Sequence, residues 1–483
     1  MGATERYSWR GTCALAAICA AGACSAEMDE VPSGVSEVSA ALGTDGGSPT
    51  DSGVTDPGPR FPFNAGQPLP GVLNNPTLGT PFQTGQDLFI GLVQISSTSS
   101  PGGAGPLYNA PGCGLCHGGG GNIGGGSPSI NPQGPNGQAV NFFFGTKNVA
   151  PSFEVANGPA LQVILKRSVA GFPAGSVQQL FTIAGASGVP STCTISQPNF
   201  AAELAAGDIA LRQPSQVLGT GLIDNISAQT LMQNLNDTAS QRKTLGIGGV
   251  LNLVNDQVGK FGWKAQVASL TTFNGLALGR ELGVTNLLFP IENDPNDPAG
   301  DCVVNPIPED GNAFLTVPNG PQLQLLPNLT LWEMLTDQPQ PQPTAQQPAD
   351  VSEGQALFGT VGCTLCHTPS MTTAKSSLAP LSQVQANLYS DLALHHMGAC
   401  LADGTSQGQA SSDMFRTSPL WGAGTRTFFL HDGRTTNIWR AVEDHSCVAQ
   451  SGFLASEANA TITAFNALTV AQQQAVIDFL RSR

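Results

Sequence analysis

The sequence predicts a mainly α fold with long irregular loops, divided into two modules. Two observations carry this expectation. One short signature occurs twice, and the apolar residues near the C-terminus recur at helical rather than alternating spacing. A third observation sets the loop content: of 483 residues, 58 are glycine and 36 proline, while 11% are charged and 40% hydrophobic. That is apolar enough for a real core but rich in residues that interrupt regular elements. The formal net charge of −15 argues against a nucleic-acid partner, which would need a basic surface.

The chain begins with an export signature. Arg6 and Arg10 precede an apolar stretch at 12–23, too short to span a bilayer and suited to the h-region of a signal. Ala21-Gly22-Ala23-Cys24 resembles a lipobox, with Cys24 as the lipidated residue, so 1–24 is expected to be a leader ending in a lipid anchor. Residues 25–75 are rich in Ser, Gly, Asp, Thr and Pro and lack an apolar period, which predicts a disordered tether. The expected location is the periplasm, either free or anchored to the outer membrane. Thiols left over there would tend to pair.

The repeated signature comes next. Gly85-Gln86-Asp87-Leu88-Phe89 is followed by Cys113-Gly114-Leu115-Cys116-His117, and Gly354-Gln355-Ala356-Leu357-Phe358 by Cys363-Thr364-Leu365-Cys366-His367. From glycine to first cysteine is 28 residues in one copy and 9 in the other, so the first carries a Gly/Ser-rich insertion between 93 and 111. Each copy predicts a short amphipathic helix leading into its cysteines. Between the copies, alternating proline from Asp337 to Pro343 predicts an extended linker. The expected domains are 76–336 and 350–483, joined by a Pro/Gln linker at 337–349. In the second, Thr469-Val470-Ala471-Gln472 reads as a capping box, with Val476, Phe479 and Leu480 following at helical spacing. A further helix is expected at about 437–445, with Ile438, Ala441, Val442 and His445 on one face.

Cys-x-x-Cys-His is the pattern of c-type haem attachment. The two thiols reach the two vinyl groups of one porphyrin, and the adjacent imidazole becomes an iron ligand. With 11 cysteines and 6 histidines in the chain, chance supplies on the order of 0.003 such motifs, so two are significant. A redox dithiol would not require the histidine, and a structural zinc site would not need two separated copies. Two covalently bound c-type haems are therefore expected, held by Cys113, Cys116 and His117 and by Cys363, Cys366 and His367, in two cytochrome c-like haem domains. The residues leave open whether Ca2+ is also bound.

Further stretches carry a family resemblance: Phe415-Arg416-Thr417-Ser418-Pro419-Leu420-Trp421-Gly422, Phe429-Leu430-His431-Asp432-Gly433-Arg434, Tyr389 to Gly398, and Gly259 to Ala265. Together they resemble the bacterial dihaem c-type oxidoreductases, described as peroxidases and also as thiol oxidoreductases. That family is similar in turn to dihaem cytochrome c peroxidases. There, the distal ligand of the C-terminal haem lies fourteen residues after the histidine of a His-x-Gly element. Counting from His431, this implies His445 as an iron ligand, where the peroxidases carry Met. Its place on an apolar helical face agrees, since an unpaired imidazole there would be costly. The resemblance gives His431 the role of ordering the haem surroundings or propionates.

The peroxidases also place a Trp, and about twenty residues later a Glu, at the reacting haem. The matching residues here are Trp263, expected as an electron relay between the haems, and Glu281, expected as the distal acid/base. The spacing is two residues shorter, and Phe273 stands where those enzymes carry Gln. No histidine lies between His117 and His367, which points to an open N-terminal iron, although Met, His395 or His396 could still reach it.

The expected function is a peroxidase-like oxidoreductase. Electrons from a small donor protein, a cytochrome or cupredoxin, would enter at the C-terminal bis-His haem and pass to a reactive N-terminal haem that reduces a small oxidant. The alternatives are a non-catalytic electron carrier, and an O2-dependent oxygenase acting on a hydrophobic substrate, which the Phe-lined pocket would suit. A thiol oxidoreductase has least support, because no Cys-x-x-Cys remains outside the haem motifs. The oligomeric state is left open. Cys193, Cys302, Cys400 and Cys447 remain and allow three pairings, of which the simplest puts one bridge in each domain.

Overall fold

The computed structural model describes residues 53–483 apart from 61–65, 92, 94–104, 120–121, 124–158, 187, 293–296, 298–299, 306, 313–323, 342–347 and 451. The leader with Cys24, and the tether as far as residue 52, lie outside the described residues.

Helix does not dominate, and the expectation of a mainly α fold is corrected. Helix takes up 34% of the structure and strand 12%, the latter in several small sheets. The physical reason is backbone satisfaction. Long Gly/Pro-rich connections still carry N–H and C=O groups, and these pair with one another across space. The largest sheet has three antiparallel strands, β1 (Gln162–Leu165), β2 (Val177–Gln178) and β3 (Ile209–Arg212), in the order β2-β1-β3. A second pair joins β4 (Leu394–His396) to β5 (Met414–Arg416), with His395 opposite Phe415. Strands of two to four residues are too short to print an alternating pattern on the sequence.

Seven helices position the site: α1 (Gly79–Ile90), α2 (Cys113–His117), α3 (Leu270–Glu281), α4 (Leu325–Leu335), α5 (Pro348–Thr360), α6 (Ile438–Glu443) and α7 (Val470–Arg481). The repeated signature folds the same way twice. α1 crosses α4 at Gly85, and α5 crosses α7 at Gly354. A Cβ at Gly85 would strike the Asn328 carbonyl and Trp332, and one at Gly354 the Ala475 carbonyl and Phe479. Only glycine lets the two backbones approach so closely. The signature phenylalanines fill the same place beside each motif. Phe89 packs on Trp332 at 4.3 Å with His117 at 6.2 Å, and Phe358 packs on Phe479 at 5.3 Å with His367 at 6.0 Å. The capping box at Thr469 and Gln472 forms as expected.

The largest core cluster joins Phe82, Leu88, Phe89, Leu278, Leu329 and Trp332 to Met371, Leu381, Leu388 and Trp421, so residues on both sides of the linker share one interior. Both bridges of the one-per-domain pairing are present, Cys193–Cys302 and Cys400–Cys447, closing loops of 109 and 47 residues. Each such closure contributes about 4 kcal/mol in the loop-entropy account. Residues 53–60, within the stretch expected to be a tether, are docked on the C-terminal part. Val54 is 1% exposed in the cluster with Phe465 and Phe479, and Asp56 pairs with Arg481 at 2.6 Å.

Candidate functional site

α5 ends in a single tight turn made possible by Gly362, whose φ of 98° places it in the left-handed region. The turn brings Cys363, Cys366 and His367 to the wall of one cavity of about 280 Å³. His367 Nδ1 is held by the Tyr389 carbonyl oxygen at 3.0 Å, which leaves Nε2 for a ligand. The same cavity is lined by α6, capped by the Asn437 side chain and shorter at its C-terminal end than expected. His445 follows in its last turn, its Nδ1 held by the Ala441 carbonyl oxygen at 2.7 Å. Ile438, Ala441, Val442 and His445, the face expected from the sequence, all line the cavity. Burial lowers the pKa of His367 to about 4 and depresses that of His445. Both imidazoles are therefore neutral, as an iron ligand must be.

The N-terminal motif is built in the same way. His117 Nδ1 is held at 2.8 Å by the carbonyl oxygen of Ser215, and burial lowers its pKa to about 4. Cys113, Cys116 and His117 line a smaller cavity of about 50 Å³ together with Ala277 and Glu281. The two cavities adjoin. Pro214 and Ser215 are consecutive residues lining one each, and on α3 Phe273 faces the large cavity while Ala277, one turn later, faces the small one.

Trp263, Phe415 and His431 also line the large cavity. His431 lies flat on Phe415 at 4.4 Å and 27°, and edge-on to Trp263 at 6.3 Å and 74°. Trp263 Nε1 donates to the Gln213 carbonyl oxygen at 2.8 Å, and Gln213 N donates to that of His431 at 2.7 Å. The expected relay and the expected cofactor-ordering histidine are thus tied to each other through Gln213.

Glu281 is partly buried at the end of α3. It accepts hydrogen bonds from Asn109 Nδ2 at 2.8 Å and Gln162 Nε2 at 2.7 Å. Burial raises its pKa to about 7 against the opposing pull of those amides and of Arg280. The other histidines are engaged elsewhere. His395 bonds Asp391 at 3.0 Å and Glu457 at 2.6 Å, and His396 bonds Asp413 at 2.8 Å. Cys366, Asp391 and His395 lie within 4.8 Å of one another, the spacing of a metal site. Cys366 belongs to the motif, however, and Asp391 is paired with Arg242 at 2.6 Å, so the cluster reads as a buried ion-pair network.

The residues fit two haems. All four motif cysteines are free while the other four described cysteines pair. Burial pushes the thiols of Cys113 and Cys363 up to about 12, the reverse of a redox dithiol. The wall also carries buried cations that sequence reasoning left unassigned. Arg416 donates to the carbonyl oxygens of Gly262 and Thr417, and Arg426 to those of Phe428 and Pro214. Among the described residues no carboxylate bonds either one, and the propionates of a haem would supply that charge. Glu333, also missed, lines the large cavity at 5% exposure. The one signal for it was that it is the sole charge in α4, LLPNLTLWEML.

Comparison with curated proteins finds no match. A family model described as "Di-haem oxidoreductase, putative peroxidase" matches residues 177–483, well over half of the chain and beginning downstream of the first motif. With a second motif, a facing His445 and the His431–Trp263 wall all inside that span, the chain belongs to the di-haem oxidoreductase family.

Proposed function

We propose that this protein is an exported, peroxidase-like oxidoreductase that takes electrons from a small cytochrome or cupredoxin and reduces hydrogen peroxide or a similar small oxidant. Cys113 and Cys116, and Cys363 and Cys366, hold the two haems by thioether bonds, and the bound irons supply the redox chemistry. His367 and His445 would both hold the C-terminal iron, which would suit electron acceptance at low potential without exchange of ligands. Trp263 and His431 bridge to the N-terminal site. Glu281, with a pKa near neutrality, serves there as acid/base. The leader and Cys24 support a periplasmic location with a lipid anchor.

The observation that carries this reading is the allocation of the six histidines. Four line the large cavity, of which His395 has both ring nitrogens on carboxylates and His431 lies flat on Phe415, so His367 and His445 are the pair left for one iron. His396 is bonded to Asp413, which supports an N-terminal iron held by His117 without a second imidazole. A sixth position without a strong protein ligand is what a reacting haem needs. The test is peroxide-dependent oxidation of a reduced small cytochrome by pre-reduced holoprotein. Turnover supports the reading, and its complete absence overturns it.

A second reading has one specific observation in its favour. Phe273 lines the cavity where the related peroxidases carry Gln, and an apolar wall suits O2 chemistry on a hydrophobic substrate. A stable dioxygen complex in protein given no reductant would favour it over peroxide reduction.

A further inference from the structure

Two carboxyls line the large cavity, Glu457, which is bonded to His395 at 2.6 Å, and Glu333, which has no cationic partner among the described residues. Glu333 sits on α4 next to Trp332, whose ring packs 4.3 Å from Phe89, and Phe89 lies 6.2 Å from the His117 ring. α4 is therefore held against the N-terminal motif. Glu333 is 5% exposed and lines the large cavity together with Thr220, Leu270, Phe273 and Ser215, the residue that anchors His117. Cys113 packs against the core cluster that contains Trp332 and Leu270 and against which Phe273 also packs, which sets α4 beside the motif. Its hydrogen-bond partner is the Asn274 amide on α3, and burial raises its pKa to about 8.

The neighbouring charged groups are committed. Lys260 donates to the carbonyl oxygens of Asp224 and Ile226, Arg426 to those of Phe428 and Pro214, and Glu281 faces the smaller cavity. A carboxyl kept in an apolar wall without a cation is costly to folding, and its persistence at a cofactor cavity points to use.

We propose that Glu333 is a second proton-exchanging carboxyl of the N-terminal haem site, donating a hydrogen bond and then a proton to the oxygen of the bound oxidant. The proposal rests on the reading of that site as the reactive one. Reduction of one H2O2 breaks its O–O bond and consumes two electrons from the donor protein and two protons, giving two waters. Glu281 takes a proton from one peroxide oxygen while Glu333 gives its own to the other, which departs as water. The two donor electrons, the proton returned by Glu281 and a second proton passed by the recharged Glu333 turn the remaining oxygen into the second water, so both consumed protons enter from solvent through Glu333. Glu281 accepts amide hydrogen bonds from Asn109 and Gln162 whereas Glu333 has Asn274 alone, so the carboxylate form is better held at Glu281, which divides the base and acid roles.

The test compares the ferric holoproteins of wild type, Glu333→Gln and Glu333→Leu, using fluoride as a ligand that accepts hydrogen bonds but cannot be reduced. Glu333→Leu removes the donor and is expected to weaken fluoride binding about 10-fold or more. Glu333→Gln keeps a donor without a transferable proton. It is expected to bind fluoride within about threefold of wild type while losing about 100-fold in peroxide turnover. Haem content and the low-spin signal of the C-terminal site, unchanged in both variants, verify folding. Wild-type fluoride affinity in Glu333→Leu, or wild-type turnover in Glu333→Gln, overturns the proposal. If wild type binds no fluoride, the reading of the N-terminal site itself falls and takes the proposal with it.

Discussion

His367 and His445 reach one cavity from two separate elements, each with its Nδ1 tied to a main-chain carbonyl oxygen, Tyr389 at 3.0 Å and Ala441 at 2.7 Å. Those bonds fix both tautomers and leave both Nε2 atoms available. The Cys400–Cys447 bridge braces the arrangement, because Cys447 lies two residues beyond His445. Replacing the second imidazole with a thioether is the direct probe. His445→Met is expected to keep the C-terminal haem low-spin and raise its potential by roughly 0.1 to 0.3 V, within the range of about 0.8 V that axial ligands span. Spectroelectrochemical titration reads this, and an unchanged potential would show that His445 is not a ligand.

Trp263 stands edge-on to His431, which in turn lies on Phe415, and all three line the large cavity. Trp263→Phe keeps an aromatic ring but loses the hydrogen bond to Gln213, at a stability cost of about 1 kcal/mol. Steady-state kinetics should give kcat about tenfold lower with KM unchanged, the signature of a slowed internal step rather than weakened binding. A change confined to KM would remove the relay role.

Glu281 sets a pH limb. Burial raises its pKa to about 7, and as the base that accepts the peroxide proton it must be ionised. Turnover is therefore expected to rise with pH through about 7 and to be lost as pH falls below it. Glu281→Gln should lower turnover about 100-fold and abolish that limb. A pH–rate profile of the variant that still bends near 7 assigns the limb to another group.

The glycine crossings make a prediction about stability. A Cβ at Gly354 would enter the space of the Ala475 carbonyl and Phe479, whereas one at Gly359, on the same helix, meets only Thr364 Cγ2 at 4.0 Å. Chemical denaturation is expected to find Gly354→Ala destabilised by about 3 kcal/mol. Gly359→Ala should be stabilised by about 0.5 to 1 kcal/mol, through helix propensity alone. Equal effects at the two positions would contradict the crossing geometry.

Much of the site was legible because it is written locally. The motif, the capping box at Thr469 and the face carrying His445 all lie within a few residues of chain, where spacing translates directly into geometry. Counting left four cysteines with three pairings once four were allotted to the motifs, and the simplest of these, one bridge in each domain, is the one that forms. The fold class was misjudged because its sheets are non-local: β1 meets β3 across more than forty residues, and neither strand is long enough to alternate. Glu333 was missed for a related reason. A lone carboxylate in a helix normally marks its solvent face, and only the packing of α4 against α1 and α3 turns it inward. The docking of Asp56 on Arg481 joins opposite ends of the chain and leaves no local trace.

The central claim is that the two motifs serve unequal sites, one closed by His367 and His445 and one open beside His117. The electron paramagnetic resonance spectrum of the ferric holoprotein tests it most directly. Expected are one low-spin signal of bis-imidazole type, lost in His445→Met, and one high-spin signal of equal weight. Two low-spin signals, with no high-spin species appearing even after the C-terminal site is selectively reduced, would contradict it.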